Sequence, residues 1–274
     1  MLGHVLYSLL KDSESYDVFN VVRSKSLDEN SYLCDVSNFK ELKSIINKIK
    51  PEIIINCIGI LIKESSENPK NAIKINSLLP HYLIEVADKI NSKLVHVSTD
   101  CVFDGKDGSY SEDSITNATD IYGKTKSLGE VNYDKHLTIR TSIIGPDLKK
   151  NGQGLLNWFL LEKTNKVYGY KKALWSGVTT LELSKAIRFS IENDINGLWN
   201  LTNSLSISKY NLLLLINKYF KKNSVEIEQS NDYINDKSLI SVREINYNVP
   251  TYESMIQELY EYCLKNKKLY NYKL

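Results

Sequence analysis

The chain has 274 residues, of which 42% are hydrophobic and 25% charged, with a formal net charge of +2. That length and balance suit a soluble globular protein built as one large α/β unit or two small ones, and they exclude the electrostatic signature of a nucleic-acid or membrane binder. Cys34, Cys57, Cys101 and Cys263 lack Cys-x-x-Cys spacing, and the sequence shows no secretory leader or apolar run of ~20 residues. No disulfide framework, no metal site, no membrane span and a cytoplasmic location are therefore expected.

Residues 1–10 read as an amphipathic helix with no strand ahead of it. Residues 17–22 are rich in β-branched residues and read as a strand that ends at Arg23 and Ser24. A second short strand is expected over 32–35. Asp35 there either caps the following helix or contacts a ligand, and the two roles are compatible. Phe39, Leu42, Ile45, Ile46 and Ile49 fall on one helical stripe that Pro51 stops. Residues 52–56 form a buried strand running into Cys57, Ile58 and Gly59, where glycine permits close approach of a ligand. Lys63 is expected on the loop beyond. Asn68 and Pro69 open a long helix to about residue 87, which Pro80 kinks or restarts. Asn76 is a polar residue on its apolar side, and His81 and His96 read as structural.

The next strand, 93–97, delivers Ser98, Thr99, Asp100, Cys101, Val102, Phe103, Asp104 and Gly105 to the carboxyl end of a parallel sheet, where open α/β folds bind ligands. A polar, turn-rich segment follows to Asp120. If a helix starts near Asp120, Tyr122 and Lys126 lie one turn apart on the same face. A free tyrosine titrates near ~10 and is a sluggish acid at neutral pH. A nearby ammonium favours the phenolate and makes the proton transferable, and a threonine hydroxyl can hold the carbonyl oxygen that receives it. Tyr-x-x-x-Lys alone is a weak signal in a chain with 18 tyrosines. Its coupling to the Ser98–Gly105 stretch at a strand end makes it strong. Strand 137–140 then leads into Thr141, Ser142 and Gly145.

These two stretches resemble the extended branch of the short-chain dehydrogenase/reductase superfamily, and within it the dTDP-4-dehydrorhamnose reductases and related nucleotide-sugar reductases. Most members carry tyrosine where this chain has Cys101. The resemblance covers most of the chain and weakens after about Asn203. It implies a doubly wound parallel, Rossmann-like sheet with a smaller carboxy-terminal substrate lobe. Residues 1–146 would form the dinucleotide-binding domain and 147–274 the lobe, interleaved with it and not folding independently. It implies Thr99, Tyr122 and Lys126 as catalytic residues. Gly3, Arg23, Ser24, Asp35, Val36, Cys57, Ile58, Gly59, Ser98, Tyr122, Lys126 and Ser142 would bind the cofactor. Asp100, Val102, Phe103, Asn157 and Trp175 would bind substrate, with Lys171 and Lys172 candidates for a diphosphate. Arg23 sits where a guanidinium would fork onto a 2′-phosphate, which favours NADPH over NADH, and no acidic residue ends that strand. A dTDP- or UDP-linked sugar is the implied partner, and a homodimer is compatible.

Ahead of Gly3 the resembled family has a strand and two further glycines of a pyrophosphate-binding turn, which this sequence lacks. A late start codon, a truncated gene or a real loss of the cradle would each account for that. The chain as given is expected to bind its dinucleotide poorly and to be poorly soluble or inactive. Three functions follow: reduction of a 4-keto-6-deoxy nucleotide sugar for surface polysaccharide, a non-catalytic nucleotide-sugar or NADP-binding regulatory subunit on the same fold, and a nucleotide-sugar epimerase or dehydratase. Dehydratases usually place acidic residues directly after the threonine, and Cys101 does not supply the second one.

Overall fold

The structure, a computed structural model, describes residues 1–149, 152–221 and 223–272. In chain order the elements are α1 (Leu2–Lys11), β1 (Asn20–Val22), β2 (Ser31–Leu33), α2 (Phe39–Ile49), β3 (Ile53–Asn56), α3 (Ile62–Glu67), α4 (Pro69–Ala72), a π-helical turn (Ile73–Leu78), α5 (Leu79–Lys89), β4 (Lys93–Val97), a 3₁₀ turn (Asp100–Val102), α6 (Ile121–Leu128), β5 (Leu137–Arg140) and β6 (Ile143–Ile144). They continue with α7 (Leu155–Leu161), β7 (Lys166–Tyr170), β8 (Ala173–Trp175), β9 (Val178–Thr179), α8 (Thr180–Glu192), β10 (Gly197–Asn200), β11 (Ile207–Ser208), α9 (Lys209–Phe220), β12 (Glu226–Ser230), β13 (Asn235–Asp236), α10 (Tyr252–Lys265) and a 3₁₀ turn (Lys267–Leu269).

The central sheet runs β10-β5-β4-β3 with every neighbouring pair parallel. Side chains alternate across a strand, so β4 sends Leu94 to one face and Val95 to the other. Val95 packs in a core with Leu2, Leu6 and Leu10 of α1 and Leu183 and Ile187 of α8. Leu94 packs in a second core with Leu42 and Ile46 of α2 and Leu79 and Leu83 of α5. Helices therefore cover both faces, and the fold is the expected doubly wound α/β sheet. Strand β10, though late in the chain, pairs with β5 and returns the backbone to this sheet.

β1 and β2 form a separate parallel pair. The strand expected over 17–22 is strand only from Asn20, where its pairing with β2 begins at Asn20↔Ser31. The strand expected over 32–35 lies at Ser31–Leu33. Asn38, not Asp35, caps α2 by accepting from the Glu41 N–H, while the Asp35 carboxylate accepts from the Ser37 N–H at 2.9 Å. The helix from Asn68 is interrupted as expected. Pro80 cannot donate to the Asn76 carbonyl, and the π-helical turn ends just before it, with α5 restarting at Leu79. Much of 168–178 is strand. β7 alternates exposed and buried residues and pairs with β12, and β8 lies between β11 and β13. Among the described residues no helix is long and apolar enough to cross a membrane.

Candidate active site

β4 ends at Val97 and hands the chain to Ser98 and Thr99. The Thr99 hydroxyl accepts from the Cys101 N–H at 3.1 Å, capping the 3₁₀ turn, and donates to Asp100 Oδ1 at 3.2 Å. Asp120 caps α6 by accepting from the Gly123 N–H at 2.9 Å, which sets Tyr122 and Lys126 one turn apart. Gly123 is sterically required. A Cβ there would stand 2.2 Å from the Cys101 carbonyl oxygen, so only glycine lets α6 lie against the turn that carries Thr99. Thr99, Asp100, Cys101, Tyr122 and Lys126 all line one cavity of about 1790 Å³.

The charges at this end are controlled from behind. Lys126 is 3% exposed, and its ammonium position lies 2.7 Å from the Val97 carbonyl and 3.3 Å from His96 Nε2. Burial brings Lys126 down to about 8, opposed by the Glu130 carboxylate. Burial raises Tyr122 above the usual phenol range, with the Cys101 and Asp100 side chains adding to the rise and the Thr99 hydroxyl opposing it. Burial thus favours the protonated phenol, against the pull toward phenolate expected from Lys126. Burial also pushes Cys57 and Cys101 up to about 12, so neither thiol is a ready nucleophile. Glu130 is held by a two-pronged contact from Arg140, Nε at 2.9 Å and Nη2 at 2.6 Å, and accepts from the Ser98 hydroxyl at 2.6 Å. Asn76 accepts from the Ile60 N–H at 2.7 Å and donates to the Ile60 carbonyl and to Thr125 Oγ1, tying the loop after β3 to α6.

The same cavity is lined by Gly3, Arg23, Ser24, Asp35, Val36, Cys57, Ile58, Gly59, Ser98, Ser142 and Trp175. It is also lined by β1 and β3, which do not pair with each other. Gly3 lines the cavity, but close packing does not demand it: an added Cβ would sit an ordinary 4.0 Å from Cys57 Cβ.

Three expected substrate residues lie elsewhere. Val102 and Phe103 are fully buried in a small core with Tyr110 and Leu239, Phe103 stacked on Tyr110 at 4.1 Å. Asn157 is buried and donates to the Gly152 carbonyl at 2.9 Å. Apolar side chains behind a strand end fill the core, and the amide of Asn157 closes a loop. Lys63 sits in α3 with its ammonium 3.9 Å from Glu67, and Lys171 and Lys172 are exposed outside the cavity lining.

One cation was not singled out from sequence. Lys209, the first residue of α9, lines the cavity with its ammonium 5.4 Å from the centre of the Trp175 ring. Burial lowers its pKa, opposed by Asp100 and Cys101. Among the described residues it has no hydrogen-bond or ion-pair partner. The Ser208 cap predicts the helix start, but only the fold shows that its first residue faces the strand-end site.

A Rossmann-like sheet with threonine at a strand end, and tyrosine and lysine one helical turn apart in the same cleft, defines the short-chain dehydrogenase/reductase class. The family described as "RmlD substrate binding domain" matches residues 1–238, and the chain belongs to it. A dTDP-4-dehydrorhamnose reductase of Aggregatibacter actinomycetemcomitans is 37% identical over 131 residues, covering 47% of this chain and 42% of that protein. The methionine adenosyltransferase 2 subunit beta of Xenopus tropicalis is 30% identical over 155 residues, covering 55% of this chain and 46% of that protein. The chain thus aligns with less than half the length of either relative. Among solved structures, dTDP-4-dehydrorhamnose reductase from Bacillus anthracis in complex with NADP superposes with a TM-score of 0.80 at 20% identity, over 95% of both chains.

Proposed function

We propose that the chain is an NADPH-dependent reductase of a 4-keto-6-deoxy nucleotide sugar, acting in deoxysugar synthesis. The observation that carries this reading is the convergence of Thr99, Tyr122 and Lys126 on one cavity end. The bound cofactor would supply the hydride. Tyr122, kept protonated by burial, is the acid that gives its proton to the carbonyl oxygen, and the Thr99 hydroxyl turns from Asp100 to hold that oxygen. Lys126 lies behind Tyr122 as the group for the ribose hydroxyls.

The remaining cavity suits a dinucleotide. Arg23 and Ser24 are exposed on the cavity lining and would take a 2′-phosphate, with NADH the alternative to NADPH. Among the described residues no side chain caps the N–H groups that open α1, and Leu2 and Gly3 line the cavity, where these groups would take a diphosphate. The segment 147–274 supplies Trp175 and Lys209, an aromatic face and a cation for the substrate's base and diphosphate. The nucleotide is dTDP or UDP.

The identity with a methionine adenosyltransferase subunit favours a second reading, a nucleotide-binding subunit without turnover. An assay of NADPH consumption with dTDP-4-dehydrorhamnose and its UDP counterpart separates the two. Consumption with either sugar supports the reductase. Tight cofactor binding with no consumption supports the binding subunit.

A further inference from the structure

The opening between β1 and β3 is walled like the place of a strand. α1 lies across it on one face. Gly3 stands beside Cys57, just past the end of β3, and the Tyr7 hydroxyl and the Lys11 ammonium meet the Asp28 carboxylate, just ahead of β2. α1 thus runs from the carboxyl end of β3 to the amino end of β2. β1 is parallel to β2, so β1 and β3 point the same way. Ile53 and Ile55 of β3 pack on the α1 side, with Leu2, Leu6 and Leu10. On the other face Val21 of β1 and Ile54 of β3 pack into one core with Leu42 and Ile46 of α2.

Both edges that face the opening are free. In a parallel strand, successive residues turn their N–H and C=O groups toward opposite neighbours. The Glu52 carbonyl accepts from the Lys93 N–H on the β4 side, so Ile53 and Ile55 turn theirs away from β4. The Asn20 N–H donates to the Asn30 carbonyl and the Val22 carbonyl accepts from the Cys34 N–H, both on the β2 side, so Val21 turns its pair away from β2. Among the described residues β3 pairs only with β4, and β1 only with β2. Burial agrees with this. A run of three isoleucines with helices on both faces is buried in a strand that is paired on both edges. Ile53, Ile54 and Ile55 are each partly exposed and line the cavity, whereas β4, paired on both edges, has four of its five residues buried.

We infer that this opening is a strand-acceptor site, which takes one extended apolar segment of another polypeptide, parallel to β1 and β3 and hydrogen-bonded to both. A strand meets every group on the walls. Its backbone offers N–H and C=O groups to two edges at once, and its side chains alternate between the α1 side and the α2 side, both apolar. The partner's chemistry follows: about five residues without charge or central proline, mostly valine and isoleucine. Each strand of the described chain already lies in one of its sheets, so the segment comes from a second chain. The residues proposed above for the dinucleotide, such as Arg23, Gly59 and Ser98, follow the ends of strands, while the acceptor site lies between the strands themselves. The inference does not rest on the reductase reading.

The test is titration of the full chain, without nucleotide, with a capped synthetic peptide of about seven residues, lysine at each end and valine and isoleucine between. Calorimetry gives the affinity and hydrogen exchange, read by NMR, gives the place. Saturable binding is expected, with exchange slowed about tenfold or more at Val21, Ile53 and Ile55 together. The same peptide with a central proline should not bind. Val21→Pro removes an N–H that faces the opening and spares the bonds to β2, and it should weaken the peptide by about tenfold. No binding at millimolar peptide, slowed exchange on one edge alone, equal binding of the proline peptide, or unchanged affinity in Val21→Pro overturns the inference. If that variant does not fold, exchange in the unaltered chain decides alone.

Discussion

The two sides of the central cavity are built differently. On one side β4 has four of its five residues buried, is paired on both edges, and is backed by the Glu130–Arg140 contact. On the other, β1 and β2 have no fully buried residue and pair only with each other. The proposed proton chemistry lies on the rigid side, where residues must be held to within fractions of an ångström. The proposed 2′-phosphate contact lies on the open side, where Arg23 is exposed and can adjust. Precision in this molecule is obtained by burial, and adaptability by leaving an edge free.

The contrast can be broken from the rigid side first. Tyr122→Phe should lower turnover by about 10²–10⁴-fold, the usual range for a lost general acid, while cofactor affinity measured by calorimetry stays nearly unchanged. Arg140→Met leaves the largely buried Glu130 carboxylate without its cation, with only the Ser98 hydroxyl still donating to it among the described residues, and denaturant unfolding should show a loss of about 3 kcal/mol. Lys209→Met should weaken binding of the nucleotide sugar by about 1.5–3 kcal/mol, seen as a raised KM with kcat little changed. The smallest effects sharpen the comparison through two glycines. Gly123→Ala forces a methyl into the Cys101 carbonyl and should cost about 1–3 kcal/mol. Gly3→Ala, on the cavity's other side, meets nothing closer than 4.0 Å and should be neutral or stabilising by up to ~1 kcal/mol in thermal melts.

Sequence reading reached the rigid side well because its signals are local. The apolar run of β4, the Asp120 cap and the four-residue spacing of Tyr122 and Lys126 each follow from short-range rules. It missed what depends on three-dimensional neighbours. Val102 and Phe103 share a motif with Thr99 and Asp100, yet backbone alternation and the 3₁₀ turn send them into a core with Tyr110 and Leu239. Lys209 lies far from that motif in sequence and reaches it only because β11 pairs with β8, placing the start of α9 over Trp175. His96 read as structural, and nothing in the sequence shows that Asn56 stands opposite it in the sheet. The spacing of Tyr122 and Lys126 likewise carries no information about the Val97 carbonyl and His96 that hold the Lys126 side chain.

The central claim, carbonyl reduction where Thr99, Tyr122 and Lys126 meet, is tested most directly by isotope transfer. The chain is incubated with dTDP-4-dehydrorhamnose and NADPH deuterated at the transferable position of the nicotinamide, and the product sugar is read by mass spectrometry and NMR. The account predicts one deuterium at C4 of the sugar, with product formation collapsing in Tyr122→Phe. Unlabelled product, or equal labelled product from Tyr122→Phe, would contradict it.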